Sequence, residues 1–431
     1  MKSRPALLCL LMLGACKTTA PKPTAAPSPA AASADSTGGP LPPAAGPHQV
    51  GNREREAFNR AVELGKTNTG AAEAALRALV TRDPRLDYAW TNLGILCERE
   101  ARVDCARDAY EHALQVQPEQ ADAWEYLTRL DCREGQCAQA ESRLRAKLQQ
   151  TPGALSVRTA LVYTLVQQKK LEAAATEAKK VLKADERNVR AMQLLAQVYY
   201  REQKFELAKM VLENARANNP TDALTFNALG LVQVGLKMKP AALESFRQAA
   251  TLKPDFAEAR NNYGMMLNES QDYDGAIREL EAAVLAAPDF VSAQLNLGNA
   301  YRGRQDFAKA LAAYGRAQKL KPALADTYFN LGVLHLDSPL LNLDTVERLK
   351  AAIAYFRQYK EKGGTDERLD QYVKDANKGI EKEGRRQERE RKEGLKKQSL
   401  KSSVKVAPAK TKTKTKAKPV SPGGKVDDAK N

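Results

Sequence analysis

Small, apolar and helix-breaking residues recur along the chain with a period of 34 residues. Alanine occupies one register of this period in eight successive units: Ala72, Ala106, Ala140, Ala174, Ala208, Ala242, Ala276 and Ala310. Proline occupies a second register, interrupted only at Glu186: Pro84, Pro118, Pro152, Pro220, Pro254, Pro288 and Pro322. Because the two registers share one period, we predict a linear array of repeats instead of a single compact core.

One unit displays the residues of the repeat most clearly. Its motif positions read Trp90, Leu93, Gly94, Ala106, Tyr110, Ala113 and Pro118. This resembles the signature of the tetratricopeptide repeat (TPR), W-x2-L-G-x2-Y followed by A-x3-F and P, although Cys97 stands where tyrosine is usual. A second unit carries Leu297, Gly298, Tyr301, Ala310, Tyr314, Ala317 and Pro322. The unit at 155–188 is the weakest, because it lacks the glycine, the large aromatic residue and the proline.

The resemblance implies an all-α TPR solenoid, a right-handed superhelix of helical hairpins. Gly94 and Ala106 would let the two helices of a hairpin approach closely, and the proline of each unit would end its second helix. A hairpin cannot bury its apolar face alone, so stacking makes the core continuous. The large aromatic residues are therefore expected in that core: Trp90, Trp124, Phe226, Phe246, Tyr301 and Phe356.

The TPR array is predicted at residues 53–365, in about nine units. Eight follow the period: 53–86, 87–120, 121–154, 155–188, 189–222, 223–256, 257–290 and 291–324. The ninth, 325 to about 365, departs from it, because Ala352 lies 42 residues after Ala310. This indicates an insertion of about eight residues near 338–345, which contains Leu340, Leu341 and Leu343. The insertion either folds over the end of the stack or forms an apolar binding loop.

Residues 366–383 are predicted to form a capping helix. Leu369, Val373, Ala376 and Ile380 follow the i, i+4, i+7 spacing of an amphipathic helix. A repeat array needs such a terminal element, because the last hairpin would otherwise expose its apolar face.

The basic character of the chain is concentrated at its C-terminal end. The formal net charge is +16, and residues 385–431 hold 16 Lys/Arg against 5 Asp/Glu. Residues 384–431 start as a charged helical run and end in KTKTKTKAKP, and we predict that this low-complexity segment forms a disordered Lys-rich tail. Such lysines attract polyanions in a salt-sensitive way. The expected partner is an anionic cell-wall polymer, and a purely solubilising tail is the alternative.

The N-terminal residues have the layout of an export signal. Lys2 and Arg4 precede a short apolar run at 6–13 and two small residues, which is typical of a signal peptide over 1–15. The ending L-G-A-C resembles the lipobox of bacterial lipoproteins, in which the cysteine, here Cys16, carries the lipid, including palmitate. An ordinary signal peptide with a chance cysteine is the alternative. Lys17 in place of aspartate favours the outer membrane.

Residues 16–50 are predicted to be a Pro/Ala-rich linker. The segment contains eight prolines and cannot bury a core, so it should be disordered or extended. After the N-terminus no apolar stretch is long enough for a transmembrane helix.

Four cysteines lie in two consecutive units: Cys97, Cys105, Cys132 and Cys137. In a TPR hairpin the positions of each pair face each other near the turn, and the envelope outside the inner membrane is oxidising. We therefore favour disulfides Cys97–Cys105 and Cys132–Cys137, although four cysteines allow three connectivities. Free thiols and a four-thiolate zinc site are alternatives, and the spacing does not match usual zinc ligands.

Catalytic motifs are missing from the sequence. The three histidines, His48, His112 and His335, have no evident partner. There is no phosphate-binding loop, dinucleotide fingerprint, nucleophile elbow or zinc-protease motif. We predict that the chain is not an enzyme and uses no cofactor or metal.

The TPR resemblance implies that partners bind the concave face formed by the first helices, at repeat positions 2, 5, 9, 12 and 13. In the N-terminal half the candidates are Arg129, Arg133, Tyr163, Arg190 and Arg201. In the C-terminal half they are Leu224, Asn227, Leu231, Val234, Asn261, Met265, Asn268, Asn299 and Leu336. We predict a groove that is basic at one end and more apolar at the other, the alternative being that the arginines only solvate the surface. Asn262, Asn296 and Asn330 are predicted to be structural.

The whole layout resembles the TPR outer-membrane lipoproteins of bacterial gliding-motility and type IV pilus assembly systems. It implies a lipid-anchored, periplasm-facing scaffold that binds other envelope proteins through its groove and the membrane through Cys16. An adaptor for peptidoglycan enzymes is the alternative, and a cryptic transferase or hydrolase is a third hypothesis. Because of the export signal, nucleic acid is not an expected partner.

Overall fold

The computed structural model describes residues 51–65, 67–337 and 343–405, with side chains as far as residue 399. These residues form nineteen α-helices and no strand. They fall into two compact units, one ending at Arg304 and one beginning at Gln305. The predicted signal peptide, Cys16, the linker and residues 406–431 lie outside the described residues.

The first unit contains fifteen helices. They are α1 Asn52–Leu64, α2 Thr69–Arg82, α3 Asp87–Arg99, α4 Val103–Val116, α5 Ala121–Arg133, α6 Cys137–Gln150, α7 Leu155–Gln167, α8 Leu171–Ala184, α9 Val189–Arg201, α10 Phe205–Asn218, α11 Ala223–Gly235, α12 Lys239–Leu252, α13 Ala257–Glu269, α14 Tyr273–Ala286 and α15 Val291–Gly303. From α3 onward, each first helix of a hairpin begins 34 residues after the previous one. The helix boundaries therefore follow the period of the sequence.

Small residues let the two helices of a hairpin pack closely. A Cβ atom at Gly94 would overlap the Tyr110 ring, and at Gly230 it would lie 2.5 Å from the Phe246 ring. Ala106 is fully buried between the helices. These are the roles that the TPR resemblance implied for the glycine and alanine positions.

The second residue after the end of a first helix has a left-handed backbone conformation at six turns of the first unit. It is Ala101, Gly135, Lys169, Gln203, Lys237 and Gln271. The following amide reaches back to close the turn, as Met238 N does to Gln233 O at 2.8 Å. This hydrogen bond satisfies a carbonyl that the helix leaves open, and glycine is the residue that adopts the conformation most easily.

The proline of each unit has a second role that the sequence did not reveal. The fourth residue of the next first helix donates a hydrogen bond to the carbonyl oxygen of that proline: Trp90 to Pro84 at 2.9 Å, Trp124 to Pro118 at 2.8 Å and Arg158 to Pro152 at 2.7 Å. Trp90 packs against the core cluster of the first hairpins but is only half-buried, as is Phe226. The prediction that both lie within the core was wrong, whereas Trp124, Phe246 and Tyr301 are buried.

The second unit contains four helices: α16 Phe307–Leu320, α17 Ala325–Asp337, α18 Thr345–Glu361 and α19 Leu369–Lys405. The period would start α18 at residue 341. Its start at Thr345 accounts for four residues of the predicted insertion, and the other four lengthen the helix, because Ala352 is its eighth residue whereas Ala310 is the fourth of α16. Asp344 caps it by accepting hydrogen bonds from the amides of Val346 and Glu347 at 2.7 and 2.9 Å. Residues 338–342, with Leu340 and Leu341, lie outside the described residues, and Leu343 is exposed.

Helix α19 covers the apolar side of the last hairpin. Leu369 and Ala376 are buried, and Tyr372 stacks on the buried Phe356 with ring centres 5.6 Å apart. The helix extends well beyond the predicted capping segment, so residues 384–405, which we expected to be disordered, are helical. Ion pairs one turn apart, such as Arg386–Glu390 and Lys392–Glu388, support the helix where no core does. None of the described helices combines the length and hydropathy needed to cross a bilayer.

Candidate partner-binding surface

The first helices of the first unit share one side of the hairpin stack. Helix α5 packs against α7, α7 against α9 and α9 against α11. Side chains at one repeat position therefore form rows across neighbouring helices. We call the predicted groove positions on α5, α7 and α9 the basic face, and those on α11, α13 and α15 the asparagine face.

Tyr163 lies at the centre of the basic face. Its side chain is half-buried, and burial raises the pKa of its phenol. Arg129, Arg190 and Arg201 lie close enough to oppose that rise electrostatically. The structure thus brings these four predicted residues together from three helices.

Two carboxylates reduce the positive charge of the basic face. Arg190 forms an ion pair with Glu125 at 2.7 Å, and Arg133 pairs with Glu98 at the same distance. Glu98 also accepts a hydrogen bond from the Tyr110 hydroxyl at 2.9 Å. The face is therefore less basic than the arginines alone indicated.

The other two arginines differ in exposure. Arg201 is half-buried and donates a hydrogen bond to the carbonyl oxygen of Val166, and burial lowers its pKa. Arg129 is exposed, with its guanidinium carbon 5.8 Å from the centre of the Tyr126 ring. No carboxylate of the described residues lies within ion-pair distance of Arg129. Of the residues described here, Arg129 and the Tyr163 hydroxyl are the groups best placed to meet a partner.

The asparagine face is held together by side-chain amides. Asn262 donates to Asn227 and Asn296 donates to Asn261, both at 2.9 Å, and each bond joins consecutive units. Asn262 and Asn296 thus have the structural role we predicted. Asn227 and Asn261 are buried acceptors in the same ladder, so their assignment to an open groove was wrong.

The apolar candidates are divided between surface and core. Leu224 is 42% exposed, whereas Leu231, Val234 and Met265 pack against the buried Phe246. Asn299 is half-buried, and the half-buried Asn268 carries a side-chain oxygen with no hydrogen-bond partner among the described residues. This end of the surface therefore offers few freely exposed apolar side chains.

Leu336 belongs to the second unit. It lines a groove of about 740 Å³ together with Arg348, Leu349, Tyr372 and Arg386.

The cysteines form two disulfides. The bond Cys97–Cys105 joins α3 to α4 with Cα atoms 5.8 Å apart, and Cys132–Cys137 joins α5 to α6 with Cα atoms 4.2 Å apart. These are the two pairs that we favoured from the repeat positions. Since zinc binds thiolates, sulfurs bonded in this way are not available for the four-thiolate alternative.

Sequence reasoning missed a buried charge beneath the basic face. Asp131 is only 2% exposed and forms ion pairs with Arg107 on α4 and Arg143 on α6. The signal was available in the repeat register, because the same position is held by Cys97 and Leu165, both fully buried. A charged residue at that position must be buried and therefore paired.

Comparisons with known proteins agree with this architecture. Residues 159–223 and 227–291 match a family model described as tetratricopeptide repeat, and 298–338 match one described as TPR repeat. A search of curated proteins finds no match.

Among the solved structures compared, the one that aligns with a TM-score above 0.5 shows the same fold. The hetero-tetramer of the APC/C proteins Cut9 and Hcn1 aligns with a TM-score of 0.57 and 16% identity, over 75% of this chain and 64% of that one. A tetratricopeptide repeat protein from Parabacteroides merdae aligns with a TM-score of 0.42 and 17% identity, over 59% and 98%. YrrB, described as a TPR protein with an unusual peptide-binding site, gives 0.32 and 22%, over 50% and 94%. This chain thus spans less than two thirds of the first of these structures.

Proposed function

We propose that this tetratricopeptide-repeat solenoid is a lipid-anchored scaffold of the bacterial cell envelope that holds an acidic segment of another protein on its basic face. A TPR array is a scaffold for protein–protein interaction. The observation that supports the choice of face is the gathering of Arg129, Arg190 and Arg201 around Tyr163.

The chemistry of the basic face suits a carboxylate-bearing peptide. A guanidinium binds a carboxylate through two parallel hydrogen bonds, and partial burial strengthens such pairs. Arg129 lies on Tyr126, which restrains its side chain before a partner arrives. Glu125 and Gln193 accept hydrogen bonds from Arg190 at 2.7 and 3.2 Å and hold its guanidinium in place beside Tyr163.

The envelope location is supported by two features of the chain. The predicted lipid on Cys16 would anchor the N-terminus, with the predicted linker at 16–50 as the tether. Two disulfides fit a compartment in which thiols become oxidised. By its layout, we assign the scaffold to the assembly of a motility or secretion machine at the outer membrane. Recruitment of peptidoglycan enzymes is the competing assignment.

The basic face can be tested with two matched variants. A photo-crosslinking residue replaces Leu224, next to the basic face. Two proteins that carry this residue are compared, one with Arg129→Glu and the control with Arg278→Glu, and the partners that each captures from membranes are identified. Arg278 is an exposed arginine on the second helix α14. Arg129→Glu should lose the crosslinked partner and Arg278→Glu should retain it. Equal capture by both variants would contradict the proposal.

The anchor is tested separately with Cys16→Ser. The variant should appear in the soluble fraction, and the wild-type N-terminal peptide should carry acyl mass. Wild-type protein recovered with an intact leader and no acyl group would rule out the lipid anchor without affecting the basic face.

A further inference from the structure

Helix α19 carries a line of positive side chains along one side. With 3.6 residues per turn, seven cations fall within a sector of about 80°. They are Lys374, Lys378, Lys382, Arg385, Arg389, Lys392 and Lys396. All seven are exposed, and we call them the cation row. At 1.5 Å per residue the row is about 33 Å long, with a charge roughly every 5 Å.

Most of the cation row faces away from the body of the second unit, and Lys382 and Arg389 also line the groove that contains Leu336. The buried residues Leu369 and Ala376 lie on the opposite side of the helix, where they pack against the last hairpin. Every described side chain from 384 to 399 is exposed. The row is therefore accessible along its whole length within the described residues.

Most of the row has no internal counter-charge. Arg385 pairs with Glu381 at 3.5 Å and Lys392 with Glu388 at 2.8 Å, but these exposed pairs contribute little. The other five cations have no carboxylate within ion-pair distance among the described residues. Since like charges one turn apart destabilise a helix, an external anion would stabilise this one.

We propose that the cation row binds a linear polyanion, a chain with phosphate or carboxylate groups spaced along it. Acidic residues border the row on both sides, with Glu381 and Glu388 on one and Asp375 and Glu393 on the other. These carboxylates would repel a flat anionic surface laid against the helix. The strip of positive charge between these two lines of carboxylates is narrow, so it suits a single extended anionic chain. The site is independent of the basic face in the first unit.

The test compares two variants of the full chain with equal loss of charge. The row variant changes the five unpaired cations to glutamine: Lys374, Lys378, Lys382, Arg389 and Lys396. The tail control changes five lysines that follow the helix to glutamine: Lys410, Lys412, Lys414, Lys416 and Lys418. Binding of long-chain inorganic polyphosphate and of polyglutamate is measured at several salt concentrations. A Lys→Arg variant of the row tests whether positive charge suffices.

The row variant should bind at least about tenfold more weakly, with a smaller slope of log affinity against log salt, because fewer counterions are displaced. The tail control and the Lys→Arg variant should stay within about threefold of wild type. Helix content is compared by circular dichroism, since glutamine is a good helix former. Binding of anionic phospholipid vesicles is measured in parallel. Three results would overturn the proposal: an equal loss of polymer binding in the row variant and the tail control, no binding of either polymer by wild type, or a row variant that loses binding to the vesicles but keeps binding to both polymers.

Discussion

Two parts of the first unit reach the same fold with different chemistry. The hairpins α3–α4 and α5–α6 contain two disulfides and the buried Asp131. The hairpins α11–α12 and α13–α14 contain apolar cores around Phe246 and Leu280 and are linked by the asparagine ladder. Both parts keep the small alanine position, at Ala106, Ala140, Ala242 and Ala276, and the glycine position is kept in all of these hairpins except α5–α6, which has Thr128. Close approach of helices thus defines the repeat. The other core positions can hold apolar residues, disulfides or polar residues whose hydrogen bonds and charges are satisfied within the array.

The comparison is clearest at one register position. It is occupied by Asp131 in α5 and by Gln233 in α11, and both side chains are buried. Asp131 is neutralised by two arginines, whereas Gln233 accepts one hydrogen bond from Ser245 at 2.7 Å. A charge at this position binds three helices together, but its loss would leave Arg107 without a counter-charge and Arg143 with only the exposed Glu111 at 3.9 Å.

Removal of the buried charge should have the largest effect. Asp131→Ala is expected to lower the free energy of unfolding by about 3–5 kcal/mol, because it leaves the largely buried Arg107 without a counter-charge and removes the shorter ion pair of Arg143. The control Asp108→Ala, at an exposed position of α4, should change it by less than about 0.5 kcal/mol. Urea unfolding measures both. A loss below 1 kcal/mol for Asp131→Ala would show that the ion pairs of Asp131 do not make this region differ in stability from the other.

Reduction of the disulfides should affect one region and spare the other. Closing a loop of eight residues, as between Cys97 and Cys105, restricts the unfolded chain by about 2.5 kcal/mol. After reduction, amide hydrogen exchange should accelerate in α3–α6 and stay unchanged in α11–α14. Uniform acceleration across all hairpins would mean that the array unfolds as one body.

The asparagine ladder should contribute less. Asn262→Ala leaves the buried oxygen of Asn227 without its donor, so stability is expected to fall by about 1–2 kcal/mol. Asn214→Ala, at an exposed position on α10, is the matched control and should have almost no effect. If both changes were equally mild in urea unfolding, the ladder would add no stability beyond packing.

The smallest expected effect concerns the turns. Gly135 and Lys237 hold the same left-handed position in the two regions. Gly135→Ala should destabilise by about 1 kcal/mol, and Lys237→Gly should stabilise by up to about 1 kcal/mol. Thermal unfolding of both variants checks whether the two changes in stability have opposite signs. Effects of the same sign would mean that turn strain is not what these residues change.

The sequence by itself determined the fold and the helix boundaries of this protein. The residues that start, stop and bring together the helices are local and recur every 34 positions, so the period placed every hairpin from α3 to α16. It also marked Asn262 and Asn296 as structural, and the binding role of the surface that carries Arg129 and Tyr163 stays a prediction.

Only the tertiary structure decided the charge of that surface and the fate of individual polar residues. Arg190 meets Glu125 across 65 residues of sequence, and Asp131 is buried between arginines of two other helices. The extension of α19 to Lys405 was likewise missed, because composition predicted disorder where charge pairs one turn apart support a helix. Pairing of charges depends on which helices become neighbours, and a repeat period encodes the helices but not the partners of each side chain.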